Sequence, residues 1–211
     1  MPIRKSKYDI LRLDDEPVDQ FPVSYNRLTI TTDDYGLLIQ MRDAALMEDA
    51  QLLEFLCPFT KETDYAWEYD WCVENWGTKW DVFDVEVVSL VDERPSGFTA
   101  ILELKFSTAW SPPVAAIKHG AERYGFDFFL TYKEEGMMFA GVATPLMDET
   151  YHFTFDKPPH EEVPDQLVDE WAIDVDYDEY IMSAEDDELS DDQKEWRKML
   201  REDMQKEYGN G

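Results

Sequence analysis

A strand–turn–strand pattern in the middle of the chain constrains its fold more than any other feature. Residues 83–88 alternate apolar and polar side chains, and residues 98–106 do so again, with Arg-Pro-Ser-Gly at positions 94–97 between them. Alternation with a period of two places one face of a strand against a core and the other in solvent. The pattern predicts a β-hairpin whose second strand turns five side chains inward: Phe98, Ala100, Leu102, Leu104 and Phe106.

A well-delimited helix follows the hairpin. Ser111 is a good N-cap, Pro112 and Pro113 suit a first turn, and Gly125 stands where the helix should end. Its apolar residues recur at helical spacing: Val114, Ile117, Ala121 and Tyr124. Beyond it, residues 126–132 predict a strand, Glu-Glu-Gly at 134–136 predicts a turn, and residues 137–141 continue as a further apolar segment.

Upstream of the hairpin, residues 28–30 predict a short strand, and a helix is expected to end before Pro58. That helix is predicted from four residues at helical spacing: Leu46, Ala50, Leu53 and Cys57. Residues 67–73 show period-two alternation and predict a half-buried extended segment. The order strand, helix, strand, strand, helix, strand predicts an α+β fold of the ferredoxin-like, split βαβ type, with one antiparallel sheet and two helices on one face.

Several strings in this region carry a family resemblance. They are WCVENWGTKWD at 71–81, FSTAWSPP at 106–113, YKEEG at 132–136 and FAG at 139–141. Together they resemble the YubB-type ferredoxin-like family of phage- and plasmid-borne proteins over residues 25–145. The resemblance implies the same fold and a mobile-element protein acting inside a bacterial cell. It assigns no catalytic residue, and it does not cover the C-terminal third.

The chain is expected to divide into an N-terminal arm (1–24), a ferredoxin-like domain (25–157) and an acidic C-terminal extension (158–211) with a terminal helix. No apolar run approaches the roughly 18 residues of a membrane span. The first residues do not read as a signal peptide, so we expect a cytoplasmic location in the bacterial host. Cys57 and Cys72 are expected to be reduced, partly buried thiols.

The extension contains the strongest charge anomaly of the chain. Residues 161–192 hold fifteen Asp or Glu and no Lys or Arg, within a chain whose formal net charge is −29. Residues 173–178 alternate apolar and acidic side chains, which, if extended, would line up three carboxylates about 6.6 Å apart. Ser190 and Gln193 form a capping box for a final helix. Aromatic residues among the acids make this segment too apolar for a purely solvated brush.

These features exclude direct nucleic-acid and anionic-membrane binding and favour a basic protein partner. We therefore expect a non-enzymatic inhibitor that presents a nucleic-acid-mimicking acidic surface to a host nucleic-acid-binding or defence protein. Its predicted partner-binding residues are Asp174, Asp176, Asp178, Glu179, Glu185, Asp186, Asp187, Glu188, Asp191 and Asp192. Three alternatives stay open: a solvated tail without a partner, an assembly or self-association module, and an enzyme acting on carbohydrate or nucleotide substrates. The second would use the apolar residues Trp171, Trp196, Leu200 and Met204.

Chemical sites are poorly signalled, and no cofactor is expected. Asp174, Asp176, Asp178 and Glu185 approach the spacing of an EF-hand loop, but Glu179 stands where its sharp turn needs Gly. Only weak, nonspecific divalent binding is therefore expected. The tryptophans at 67–80 and 110 have acidic neighbours that would repel phosphates, and Glu74 with Asp81 is a chance carboxylate pair rather than a glycosidase motif. The three histidines have no metal-ligand spacing with either cysteine.

Overall fold

The computed structural model describes residues 22–59 and 65–208 of the 211-residue chain. The arm expected at residues 1–24 therefore lies, up to residue 21, outside the described residues. The chain divides into two compact units, residues 1–150 and residues 151–211. They are called the first unit and the C-terminal unit below.

The first unit contains strands β1 (Val23–Thr32), β2 (Phe83–Asp92), β3 (Ala100–Ala109), β4 (Asp127–Glu134) and β5 (Phe139–Ala143). Its helices in the described part are α1 (Tyr35–Ala45), α2 (Leu52–Leu56), α3 (Tyr65–Trp76) and α4 (Val114–Tyr124). Strand β6 (Asp148–His152) follows β5. The C-terminal unit contains helices α5 (Asp165–Trp171), α6 (Ile173–Ser183) and α7 (Asp191–Tyr208).

The six strands form one sheet in the order β2-β3-β1-β4-β5-β6, with antiparallel pairing from β2 to β5. Its first four positions, β2-β3-β1-β4, have the order of a split βαβ fold. Leu28 on the central strand lies opposite Leu104 on one side and Leu130 on the other, and all three are fully buried. Residues of α1 to α4 join them in one core. The predicted α+β, ferredoxin-like fold is confirmed, and β5 and β6 extend it beyond β4.

The predicted hairpin is confirmed as β2 and β3, joined through a 3₁₀ turn at Arg94–Ser96. Phe98 is the exception, because it lies in the turn and is 67% exposed. The register shifts between Val87 and Ser89, and such a bulge reverses which side chains face inward. For this reason Val85 and Val87 pack on the core before the shift, and Leu90 packs on it afterwards.

The prediction for residues 46–57 is wrong in its bounds. Helix α1 already ends at Ala45, and Leu46 is 53% exposed. The start of α1 is indicated by Asp34, a residue type that is common at N-caps. Its carboxylate caps α1 by accepting a hydrogen bond from the Leu37 N–H (3.0 Å). Only the short α2 covers the later part of the predicted segment.

The predicted extended segment at residues 67–73 is also wrong, because α3 covers it. A helix brings Cys72 and Trp76, one turn apart, onto the same side, and both are buried. The Trp76 indole N–H also donates to the Cys57 carbonyl oxygen (2.8 Å). Burial of this i, i+4 pair therefore outweighs the period-two pattern.

Helix α4 ends as predicted and begins differently. Gly125 has φ of +71° and its N–H donates to the Ala121 carbonyl oxygen, the geometry of a left-handed C-cap. Ser111 is not the N-cap, since the helix begins at Val114. The Ser111 hydroxyl instead donates to the carbonyl oxygen of Gly77.

In the C-terminal unit, the stretch expected to be extended at residues 173–178 lies in helix α6. Ile173, Tyr177 and Ile181 follow one another at four-residue spacing and are all buried, which favours a helix over a strand. Asp174 and Asp176 lie in its first turn, where carboxylates stabilise the helix dipole. The final helix is confirmed as α7, with the predicted capping box: the Gln193 N–H donates to Ser190 Oγ (3.3 Å), and the Ser190 N–H donates to Gln193 Oε1 (2.9 Å).

Candidate partner-binding surface on the C-terminal unit

The C-terminal unit has a small aromatic core of its own. The Phe155 ring lies 6.1 Å from the Tyr177 ring and 5.1 Å from the Tyr180 ring, centroid to centroid. Ile181 and Leu189 are buried beside these rings. The acidic helices therefore rest on a packed core, as expected from the aromatic residues in the segment.

Two buried polar residues of α7 hold the surrounding backbone. Gln193 caps its own helix and also donates from Nε2 to the Phe155 carbonyl oxygen (2.6 Å). Arg197 is only 6% exposed and donates from Nη1 to the Ala184 carbonyl oxygen (2.8 Å). It also forms a charge-assisted hydrogen bond with Asp186. These contacts fix the loop between α6 and α7, which contains four consecutive acids at 185–188.

Eight of the ten predicted partner-binding carboxylates are exposed: Asp174, Glu179, Glu185, Asp186, Asp187, Glu188, Asp191 and Asp192. Asp176 and Asp178 are half-buried. The loop acids and those of α7 follow α6 directly in the chain. The C-terminal unit thus presents a dense array of carboxylates on ordered backbone.

The arrangement on α6 differs from the expected straight row. At about 100° per residue, a helix places Asp174 and Asp178 on one flank and Asp176 and Glu179 on the other. Asp178 is also engaged, because its Oδ1 accepts a hydrogen bond from the indole N–H of Trp196 (2.8 Å). The same helical geometry separates the acids that approached EF-hand spacing. Among the described residues, no group of three or more His, Cys, Asp or Glu side chains is arranged to hold a metal ion.

The four residues of the apolar alternative have different environments. Trp171 is half-buried at the end of α5, and Leu200 packs against the aromatic core. Trp196 and Met204 on α7 are 43% and 51% exposed. Met199 is 50% exposed on the same helix, so α7 carries an exposed apolar set.

A basic group on α7 was not predicted. Lys194, Lys198 and Arg201 are exposed, and with Arg197 and Asp186 they line a cavity of about 400 Å³. Their spacing of three or four residues, which places them on one side of the helix, could have identified them. The C-terminal unit therefore carries a small basic surface beside its acidic one.

Asp81 and two of the tryptophans in the first unit have structural roles. The Asp81 carboxylate is buried and accepts hydrogen bonds from the N–H groups of Leu53 (2.9 Å) and Glu54 (3.0 Å), at the start of α2. Glu74 is exposed. Trp76 is a core residue, and Trp71 packs edge-on against it. The side chain of Trp67 lies outside the described part.

The cysteines and histidines give no sign of a site in the described structure. Cys57 and Cys72 are both buried and are not joined in a disulfide, and burial raises the pKa of the Cys57 thiol. A raised pKa keeps a thiol protonated and unreactive near neutral pH. His119, His152 and His160 are exposed. No helix in the described ranges has the length and apolar character needed to cross a membrane.

Comparison with known families supports the fold. A family model described as "Ferredoxin-like domain in Api92-like protein" matches residues 92–158. The match runs from the end of β2 through β6 and includes three of the strings noted above, FSTAWSPP, YKEEG and FAG. No curated protein and no solved structure matches the chain. The strand order and this match together show that the chain contains a ferredoxin-like domain similar to that of Api92-like protein.

Proposed function

We propose that this chain is a non-enzymatic protein of a phage or plasmid that inhibits a host nucleic-acid-binding or defence protein. In this proposal it acts in the bacterial cytoplasm, and its acidic C-terminal unit occupies the partner's nucleic-acid groove. The mobile-element origin rests on the resemblance to the YubB-type family. The inhibitory role rests on one observation, the exposed carboxylates carried by a packed helical unit.

The charge density supports mimicry of a nucleic-acid strand. Helix α6 has 11 residues, which corresponds to about 16 Å of length, and it carries four carboxylates. A single DNA strand of that length carries about five phosphates, at about 3.4 Å each. The packed core under α6 supports the carboxylates before a partner arrives, so less ordering entropy is lost on binding than with a flexible tail.

The field of the whole chain supports the same partner class. With a net charge of −29, the chain attracts basic surfaces at long range and repels nucleic acids. Attraction of this kind raises association rates and weakens as salt is added. A basic nucleic-acid groove therefore fits the charge of this molecule.

The test begins with capture of partners from bacterial lysate at low salt and their identification by mass. The affinity of each captured protein is then compared for two variants that each raise the net charge by four. One carries Asp174→Asn, Glu179→Gln, Glu185→Gln and Asp187→Asn, all exposed in the C-terminal unit. The control carries Glu48→Gln, Asp49→Asn, Glu86→Gln and Glu93→Gln, all exposed in the first unit.

The acidic surface of the C-terminal unit, and not the total charge of the chain, is proposed to bind the partner. The first variant should therefore lose about ten-fold or more in affinity, and the control should lose much less. Duplex DNA or RNA should also displace the captured protein. Equal weakening in both variants, or a partner that nucleic acid does not displace, contradicts the proposal.

The exposed apolar residues of α7 favour a second candidate, an assembly or self-association module. Trp196, Met199 and Met204 would form its contact surface. Hydrophobic association changes little between 50 and 500 mM salt, whereas the electrostatic mode weakens steeply. Sedimentation at both salt concentrations, with Met199→Lys as the disrupting variant, separates the two candidates.

A further inference from the structure

Two loops of the first unit meet beside the start of α4, and most of their residues have structural roles. Thr78 is buried and donates from its hydroxyl to the Ala109 carbonyl oxygen (2.8 Å). Ser111 donates to Gly77, and Asp81 caps α2. These loops contain the ends of the strings WCVENWGTKWD and FSTAWSPP, which begin in α3 and β3, and the proposed acidic surface uses neither string. Lys79 and Trp110 lie in the same two loops, and they contact each other at the surface.

Lys79 and Trp110 form an aromatic arrangement at the surface. The Lys79 ammonium lies 3.2 Å from the centroid of the Trp110 ring and 5.5 Å from that of Tyr69 on α3. Both rings are well exposed, Trp110 by 41% and Tyr69 by 48%. One ammonium group therefore lies within cation–π distance of two aromatic rings that also face solvent.

Trp110 adopts a backbone conformation that a bulky residue rarely takes. Its φ is +72°, in the left-handed region. The backbone is held there, because the Trp110 N–H donates to the Pro22 carbonyl oxygen (2.8 Å). Backbone strain of this kind concentrates at binding and active sites, where the surrounding structure maintains it. The residue held in this conformation carries an indole ring that is exposed at the surface.

We infer that Trp110 and Tyr69 form a slot for an arginine side chain of a partner protein, and that Lys79 occupies this slot in the free protein. The basic nature of that partner rests on the function proposed above. A guanidinium group is planar and always charged, and it stacks on aromatic faces. The net charge of −29 favours a cation over an anion at this surface.

An arginine can displace Lys79 from the slot because one effect stabilises the Lys79 ammonium there and another destabilises it. The rings attract its ammonium, but burial lowers the pKa of Lys79, which means that its charged form is partly dehydrated there. On leaving the slot, the ammonium regains water while the incoming guanidinium takes over the ring contacts. The apparent affinity for arginine is therefore the intrinsic affinity of the slot multiplied by the fraction of molecules in which Lys79 has left it.

The experiment titrates the acetylated, amidated tripeptide Gly-Arg-Gly into the ¹⁵N-labelled full chain. It follows the indole N–H resonance of Trp110, which is assigned by its loss in Trp110→Leu. The matched peptide Gly-Gln-Gly is the ligand control. The arginine peptide should shift the resonance and the glutamine peptide should not. An unmoved resonance at saturating arginine peptide overturns the inference.

Variants test each part of the slot. Lys79→Met keeps an unbranched side chain, one atom shorter and without the charge, and should tighten arginine binding about five-fold or more. Tyr69→Leu, at an exposed helical position, should weaken binding at least three-fold without unfolding the chain, and Trp110→Leu should abolish it. Unchanged affinity in Lys79→Met or in Tyr69→Leu contradicts the inference.

The four-residue neutralised variant of the C-terminal unit separates this inference from the proposed function. It should bind the arginine peptide as wild type does, because its substitutions leave the slot intact. If the arginine peptide does not bind, but neutralising the acidic surface weakens binding of the captured partner, only the inference is refuted. If the arginine peptide binds, but neutralising the acidic surface leaves the affinity for the captured partner unchanged, only the proposed function is refuted.

Discussion

At the scale of single residues, the loops beside α4 depend on backbone conformations that few residues can adopt. Gly77 has φ of +85°, and a Cβ added there would lie 3.0 Å from the Pro112 carbonyl oxygen. Gly97, in the hairpin turn, has nearly the same φ of +83° but open space around the position of a Cβ. The two glycines therefore form a matched pair, since only one of them adds a steric contact to the cost of a left-handed backbone.

Gly97→Ala should lower the free energy of unfolding by about 1 kcal/mol, the cost of a left-handed conformation for an L residue. Gly77→Ala should lower it by a further 1 to 2 kcal/mol or so, because the backbone of one loop must move away from the other. Urea unfolding of both variants measures the difference. Equal destabilisation would show that the Gly77 loop can move away from Pro112 at little cost in free energy.

At the scale of secondary-structure elements, α6 is fixed to the C-terminal unit by Tyr177. This tyrosine is buried against Phe155, and removal of its hydroxyl from water raises the pKa of Tyr177. A hydrogen bond with Gln193 on α7 opposes part of that shift. A tyrosine with a raised pKa in the folded state favours folding while it is protonated.

The stability that Tyr177 contributes is fully present below the pKa of a tyrosine in the unfolded chain, about 10. It is lost as the pH rises through the higher pKa of Tyr177 in the folded state. Wild type should therefore lose more unfolding free energy between pH 9 and 11 than Tyr177→Phe, which cannot ionise. Urea unfolding followed by circular dichroism at several pH values measures this, with Tyr180→Phe as the aromatic control. A parallel decline in wild type and Tyr177→Phe contradicts the assignment.

At the scale of the whole molecule, like-charge repulsion is the dominant electrostatic term. The chain has 48 acidic and 19 basic residues. Most ion pairs of the described residues include a well-exposed partner, such as Lys206 with Asp203, and pairs of this kind contribute little. The compact state is therefore destabilised by its own charge, especially at low ionic strength.

Raising NaCl from 20 to 500 mM should increase the free energy of unfolding by about 1 to 2 kcal/mol, because the screening length falls from about 20 Å to about 4 Å. Urea unfolding at each salt concentration tests this. Choline chloride should act as NaCl does if the effect is screening. A much larger effect of MgCl₂ at equal ionic strength would instead indicate a specific cation site.

Prediction from the sequence worked best where the determining contacts are local. The turn at 94–97, the C-cap Gly125 and the capping box of Ser190 with Gln193 are all predicted from the sequence and present in the structure. Each depends on hydrogen bonds or φ values within a few residues. The candidate carboxylates were also identified, and their exposure follows from their high hydration. The aromatic slot was missed, because Tyr69, Lys79 and Trp110 meet only in the folded domain.

The sequence by itself determined the hairpin, the strand–helix–strand order around it and the concentration of charge near the C-terminus, because these depend on neighbouring residues and on composition. Only the tertiary structure decided that residues 65–76 and 173–183 are helices. Both segments fit a period of two as well as a period of 3.6. The choice depended on the surface available for packing: Trp76 and Cys72 in one core, Tyr177 and Ile181 in the other, are buried only from a helix. Burial against residues distant in sequence therefore outweighed the local pattern.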